Sequence, residues 1–123
     1  MSGGIDFRFQ LTRGDFKLDA SATIASRGVT ALFGRSGSGK TSLLRCIAGL
    51  EQPHEAYLSV DAECWHDSSA GYFLPPYKRA IGYVFQEGAL FTHLRVRENL
   101  CYGYKRTKSR ERSGELDHVI NIL

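Results

Sequence analysis

Ile5, Phe7, Phe9 and Leu11 alternate with polar neighbours near the start of the chain, the period-two pattern of a half-buried strand. Arg13, Gly14 and Asp15 interrupt it as a turn. Phe16, Leu18, Ala20 and Ala22 then resume the alternation, which predicts an antiparallel hairpin. Ser26, Arg27 and Gly28 mark another turn, after which the alternation stops. Residues 29–33 (Val29, Thr30, Ala31, Leu32, Phe33) form a short, largely apolar run, as expected of a strand buried in a parallel sheet. Leu43, Leu44, Ile47 and Leu50 recur at helical spacing, and Gly49 falls where a helix often closes. Residues 57–60 read as a strand, turned by Asp61, Ala62 and Glu63, and residues 68–76 read as irregular. Residues 81–85 form a second apolar strand that ends at Gln86. A short helix is predicted over 96–102. Leu116, Val119, Ile120 and Leu123 mark one face of a final helix. No internal repeat or low-complexity tract is visible.

Between the first apolar run and the first helix, residues 34–41 fit G-x-x-x-x-G-K-[ST]. This is the phosphate-binding loop of nucleoside triphosphatases. Gly34, Gly37 and Gly39 let the backbone turn tightly and bring its N–H groups near phosphate oxygens. Arg35, Ser36, Ser38 and Ser42 complete the candidate nucleotide contacts. Lys40 supplies a point charge for the β- and γ-phosphates, and the Thr41 hydroxyl is a hard oxygen ligand suited to Mg²⁺. Strand, glycine loop and helix come in the order the chemistry requires, because a helix N-terminus adds partial positive charge facing the phosphates. The competing reading, a glycine-rich turn with an incidental lysine, does not account for both flanks.

Composition narrows the picture little further. The 123 residues, 42% hydrophobic and 24% charged, suit one small soluble domain. No run approaches the ~20 apolar residues of a membrane span. The first six residues show no basic region followed by an apolar stretch, so no signal peptide is visible. Cys46, Cys64 and Cys101 are odd in number and widely spaced, which reads as reduced thiols. A net charge of +3 does not demand a nucleic-acid partner, and none is expected. The basic run Lys105, Arg106, Lys108, Arg110 and Arg112 is interrupted by Glu111 and reads as a solvated helix entry.

The loop, the helix ending Cys46, Ile47, Ala48, Gly49, Leu50, and the element Ile81, Gly82, Tyr83, Val84, Phe85, Gln86 together resemble the start of an ABC transporter ATPase subunit. Residues 89–100 continue that pattern, and the resemblance covers essentially the whole chain. Within the family the finer resemblance is to ATPase subunits of importers of molybdate or a similar oxyanion. It rests on the short hairpin, on Leu74, Pro75, Pro76, Tyr77, Lys78, Arg79, and on residues 96–103. Thr92 stands where such importers usually carry proline.

The resemblance implies an α/β phosphate-loop ATPase core with an N-terminal antiparallel β-subdomain. Residues 1–123 would be the N-terminal part of one nucleotide-binding domain, without the downstream helical subdomain and later core strands. It implies ATP and Mg²⁺ as cofactors, and Gln86 as the residue that binds Mg²⁺ and positions the attacking water beside catalytic Lys40. It implies transmembrane permease subunits and a second, identical ATPase subunit as partners of the intact protein, at the cytoplasmic face of the inner membrane. Residues 89–100 would face the permease, with Leu90 expected in the core and part of residues 91–97 at the interface. An aromatic ring usually stacks on adenine in the family. Phe16 is the candidate, and a core role for it stays equally open. Asp61 precedes Gln86 and reads as a turn residue rather than a metal ligand. No Leu-Ser-Gly-Gly-Gln signature and no apolar strand ending in Asp-Glu follow Gln86. The 123 residues alone are therefore expected to hydrolyse ATP negligibly. The alternatives are a non-catalytic nucleotide-binding fragment, or a soluble ABC-type or other phosphate-loop ATPase.

Overall fold

The computed structural model describes residues 3–88 and 90–106. The chain forms two units, one running to Tyr83 and one beginning at Val84.

The first unit is built on β1 (Ile5–Arg13), β2 (Phe16–Ile24), β3 (Glu55–Val60), β4 (Glu63–Asp67) and β5 (Tyr72–Phe73), with one α-helix, α1 (Lys40–Ala48). The sheet order is β2-β1-β3-β4-β5, and every pairing is antiparallel. The predicted hairpin forms, with Leu11 opposite Leu18 and Phe7 opposite Ala22. On its other edge β1 places Phe7 opposite Leu58 and Phe9 opposite Ala56. Period-two alternation thus sends Phe7, Phe9, Leu11, Leu18, Ala56 and Leu58 to one face, where α1 covers them with Leu43 and Cys46, and Trp65 joins from β4. Phe9 and Leu58 are fully buried. Burial of side chains of this size contributes about 2–3 kcal/mol each.

Asp61 and Ala62 join β3 to β4 with φ of 50° and 70°. Positive φ at both central positions is the hand of turn that matches strand twist. Asp61 is fixed there by two bonds: its carboxylate accepts from Gly4 N–H at 2.7 Å, and its own N–H donates to Gly4 O at 2.8 Å. It is a turn residue, as its position in the sequence indicates. The sequence pattern gives Glu63 to a turn and assigns no element to residues 64–67, where β4 forms. A register shift at Leu58 and Ser59 breaks the alternation there, and Trp65 and His66 are both buried.

Two expectations fail. Residues 29–33 and 81–85 form no strand. Val29 is 99% exposed, Phe33 90% and Val84 95%. An apolar run becomes a parallel strand only with a neighbour to pair with. Among the described residues no strand pairs with either run, whereas the antiparallel hairpin supplies its own partner locally. The expected parallel core is therefore not formed among the described residues, and Gln86 does not end a strand.

The second unit contains α2 (Val96–Arg106), four residues longer than the helix predicted over 96–102. The predicted final helix with Leu116, Val119, Ile120 and Leu123 lies outside the described residues, as do Lys108, Arg110 and Arg112 of the basic run.

Candidate nucleotide site

Residues 34–39 lie between the exposed run 29–33 and α1, and Lys40 and Thr41 open the helix. Gly37 has φ of 81° and Gly39 φ of 103°, both in the region that favours glycine. The intervening turn closes with Ser38 N–H donating to Arg35 O at 3.1 Å. A Cβ on Gly34 would stand 2.6 Å from Ser38 Oγ, so a side chain there would require the Ser38 hydroxyl to turn aside.

Gly39 is the N-cap of α1 and brings no side-chain cap, and the first turn carries no acidic residue. The first N–H groups of the helix thus face no carboxylate of their own, and the partial positive charge there stays available to an anion. Lys40 Nζ donates to Gly34 O at 2.5 Å and to Arg35 O at 2.7 Å. These acceptors are neutral carbonyls, and a phosphate oxygen is the stronger acceptor for an ammonium. Arg35, Ser36 and Thr41 are exposed, Ser42 and Lys40 half-buried. The donor set suits a polyphosphate, and the exposed Thr41 hydroxyl suits a hard divalent cation.

Phe16 begins β2, half-buried, and packs against the core cluster. Its ring also borders the loop: a Cβ on Gly39 would lie 2.9 Å from Phe16 Cζ and 3.2 Å from Leu18 Cδ1. Sequence reasoning placed Phe16 in the core or on adenine; the structure puts the ring beside both core and loop. Gln86, in the second unit, is exposed at a bend. Among the described residues no group of three His, Cys, Asp or Glu side chains is placed to hold a metal ion. A concavity of about 580 Å³ lined by Arg8, Gln10, His54, Tyr57 and Asp67 includes none of residues 34–41.

The far end of α1 is held by a residue whose role the sequence did not reveal. Arg79 is 5% exposed and gives its donors to four backbone carbonyls. Nε reaches Leu74 O at 2.7 Å, Nη1 reaches Ile47 O at 2.9 Å and Cys46 O at 3.3 Å, and Nη2 reaches Trp65 O at 3.4 Å. The guanidinium also lies 5.0 Å from the Phe73 ring and 5.7 Å from Trp65. Burial pulls its pKa down from the ordinary value, and the arginine stays charged. Its cation offsets the negative end of the helix that carries Lys40 and Thr41. Just past the helix, Glu51 pairs with Arg13 at the end of β1 and with Arg45 of α1, the latter at 3.5 Å. The Arg13 hydrogen bond holds the Glu51 carboxyl below the usual range.

In the second unit, Leu90 is 71% exposed rather than core. Phe91 takes the packing place instead, with its ring 4.4 Å from Tyr102 on α2.

The chain is similar to known proteins over nearly its whole length. The chain is 53% identical to "Molybdenum import ATP-binding protein ModC 1" of Azotobacter vinelandii, over 98% of this chain and 33% of that protein. It is 48% identical to "Molybdenum import ATP-binding protein ModC" of Pseudomonas syringae pv. syringae, over 100% and 34%. The protein of that name from Bordetella pertussis is 48% identical, over 98% and 32%. The chain thus spans about a third of the length of the curated relatives it matches. The ABC transporter family model matches residues 18–123, from β2 through the loop, α1 and α2. The chain belongs to the ABC transporter family.

Proposed function

We propose that this chain is the N-terminal part of the nucleotide-binding domain of an importer ATPase, and that the importer carries molybdate or a similar oxyanion. The observation that carries the ATP part is the loop geometry: three glycines, an N-terminus of α1 with no side-chain cap, and Lys40 held only by neutral carbonyls. The oxyanion part is supported by the names of the relatives, and the ATPase itself would not touch the cargo.

In this reading the N–H groups of residues 34–41 and the α1 N-terminus bind the phosphates, and Lys40 stabilises charge on the β- and γ-oxygens. Thr41 and Gln86 would hold Mg²⁺, whose chemistry is to neutralise those same oxygens. The amide of Gln86 would also orient the attacking water. Phe16 would border the base. The partners are transmembrane subunits and a second ATPase subunit, at the cytoplasmic face of the membrane. Among the described residues no helix is long and apolar enough to cross a bilayer itself. The 123 residues alone would bind nucleotide and turn it over negligibly, because they contain no signature sequence and no Asp-Glu strand after Gln86.

Two measurements test this. Calorimetry should show Mg²⁺-dependent ATP binding by the chain that weakens at least about tenfold in Lys40→Ala, the loss of one charge-assisted contact. Cells carrying Lys40→Ala in the native protein should take up less molybdate than wild type. Equal ATP affinity in the variant would refute the nucleotide site. Unchanged uptake of molybdate and of related oxyanions would refute the importer reading.

A further inference from the structure

His66 and Arg79 are two buried bases that share one ring. His66 pairs with Phe73 across the β4–β5 ladder and packs edge-on against it at 5.0 Å, and the Arg79 guanidinium lies 5.0 Å from the same ring. Neither base has a carboxylate partner among the described residues. His66 is 4% exposed, and its Nδ1 lacks a hydrogen-bond partner among them. Burial and then Arg79 disfavour the imidazolium, while Asp67 beside it on β4 favours it. Asp67 is already committed elsewhere: its carboxylate accepts the Ser69 N–H at 3.1 Å and the Ser69 hydroxyl at 2.6 Å. Across the ladders His66 faces Leu58 of β3 and Phe73 of β5, neither of which titrates. Near Arg79 stand Tyr72 of β5 and Cys46 of α1, and the Cys46 thiol, pushed up to about 11, stays neutral. A proton taken from solvent makes both ring nitrogens of His66 donors and sets a second cation against Arg79, with no carboxylate paired to either.

Arg79 joins this cluster to the phosphate loop. It donates to Ile47 O at 2.9 Å and to Cys46 O at 3.3 Å, in the last turn of α1. Those carbonyls stand about 10 Å along the helix from Lys40, at 1.5 Å per residue. Helical hydrogen bonds form cooperatively, so in a helix as short as Lys40–Ala48 fraying at one end soon reaches the other. The clamped arrangement favours neutral His66, and its release frees the ring to charge. Protons therefore favour the released helix as pH falls through the lowered folded value.

We propose that His66 is a pH-sensitive positioning residue for the nucleotide site: on taking up a proton it drives Arg79 from the α1 carbonyls, and the released helix holds nucleotide less tightly. This rests on the nucleotide reading above and adds a control to it. His66 acts through Arg79 and α1. By linkage, bound nucleotide in turn disfavours the proton on His66 by the same factor.

The test is calorimetry of ADP with Mg²⁺, a ligand that is not turned over, on the full-length protein from about pH 8 to about pH 5. Wild type and His66→Phe should agree within about twofold at the upper end. At the lower end wild type should bind at least about fivefold more weakly than His66→Phe, which corrects for titration of the nucleotide itself. His66→Gln, polar but not titratable, should follow His66→Phe. By NMR the His66 midpoint should fall by about 0.7 of a pH unit or more when ADP is added, the same fivefold coupling read from the other side. Parallel pH profiles in wild type and both variants would overturn the proposal, as would a His66 midpoint that ADP leaves unmoved. An affinity loss that coincides with loss of far-ultraviolet circular dichroism also overturns it, because global unfolding would then explain the effect. Wild type that binds no ADP even at the upper end would instead sink the nucleotide reading on which the proposal stands.

Discussion

The guanidinium of Arg79 fills the space beside Gly49: a Cβ on Gly49 would stand 2.8 Å from Arg79 Cζ. Gly49 closes α1 with φ of 85°, and its N–H and that of Leu50 bond back to Cys46 O and Arg45 O. Glycine is required there twice, for its backbone conformation and for the absence of a side chain. The helix that begins at the phosphate loop thus ends on a buried cation.

Substitutions at this pair should be costly. Gly49→Ala is expected to lose about 2 kcal/mol from positive-φ strain and from displacing Arg79. Arg79→Met should lose about 3 kcal/mol, because it leaves four carbonyls short of a donor. Arg79→Lys should recover little, since a point donor does not reproduce the planar fork. Urea unfolding reads all three. A loss within about 0.5 kcal/mol, the range of an ordinary surface change, would contradict the account.

The core packing of Phe16 can be separated from its proposed stacking on the base. Phe16→Leu keeps apolar packing under Gly39 but removes the ring. ATP affinity should fall about fivefold, the lower end of an aromatic–base stack, while inorganic triphosphate binds unchanged. Equal weakening of both ligands would assign Phe16 to loop support alone.

His66 gives the fold a pH dependence. Its ring is 4% exposed, packs edge-on against Phe73 at 5.0 Å, and leaves Nδ1 without a hydrogen-bond partner among the described residues. Burial first, then nearby Arg79, lowers its pKa from the ordinary 6.5. The folded state therefore favours neutral imidazole. The resulting stability is present above the unfolded pKa and is lost as pH falls through the lower folded value. Melting temperature should drop on acidification below about 6.5, and His66→Phe should flatten that slope. A slope unchanged in His66→Phe would place the titration elsewhere.

The three thiols should differ in reactivity. Cys46 is fully buried, and burial with Glu51 nearby pushes its thiol up to about 11. Cys101 is buried and Cys64 half-buried. Alkylation of the native protein at pH 8, read by mass spectrometry, should label Cys64 first and Cys46 only after unfolding. Early labelling of Cys46 would show that α1 opens readily.

How far the chain could be read from its letters depended on where each interaction is decided. The β1–β2 hairpin was legible because Phe7, Phe9, Leu11 and Leu18 carry their own period and their own partner. The loop was legible because Lys40 and its glycines have one dominant use. Residues 29–33 carry the apolar composition of a parallel strand, but composition does not supply the neighbour. Arg79 belongs to the stretch that carries the finer resemblance, but its burial was not legible: it follows exposed Lys78, and it depends on carbonyls from three separate segments.

The bare run 29–33 has a practical consequence. Val29 and Phe33 present nearly their whole side chains to water, and among the described residues no strand pairs with the run between them. An uncovered β-prone segment is a template for pairing with another copy of itself. Phe33 directly precedes Gly34, so a strand laid down there by self-association would pin the entrance of the phosphate loop. Self-pairing of this run would therefore lower ligand competence as the concentration of the chain rises.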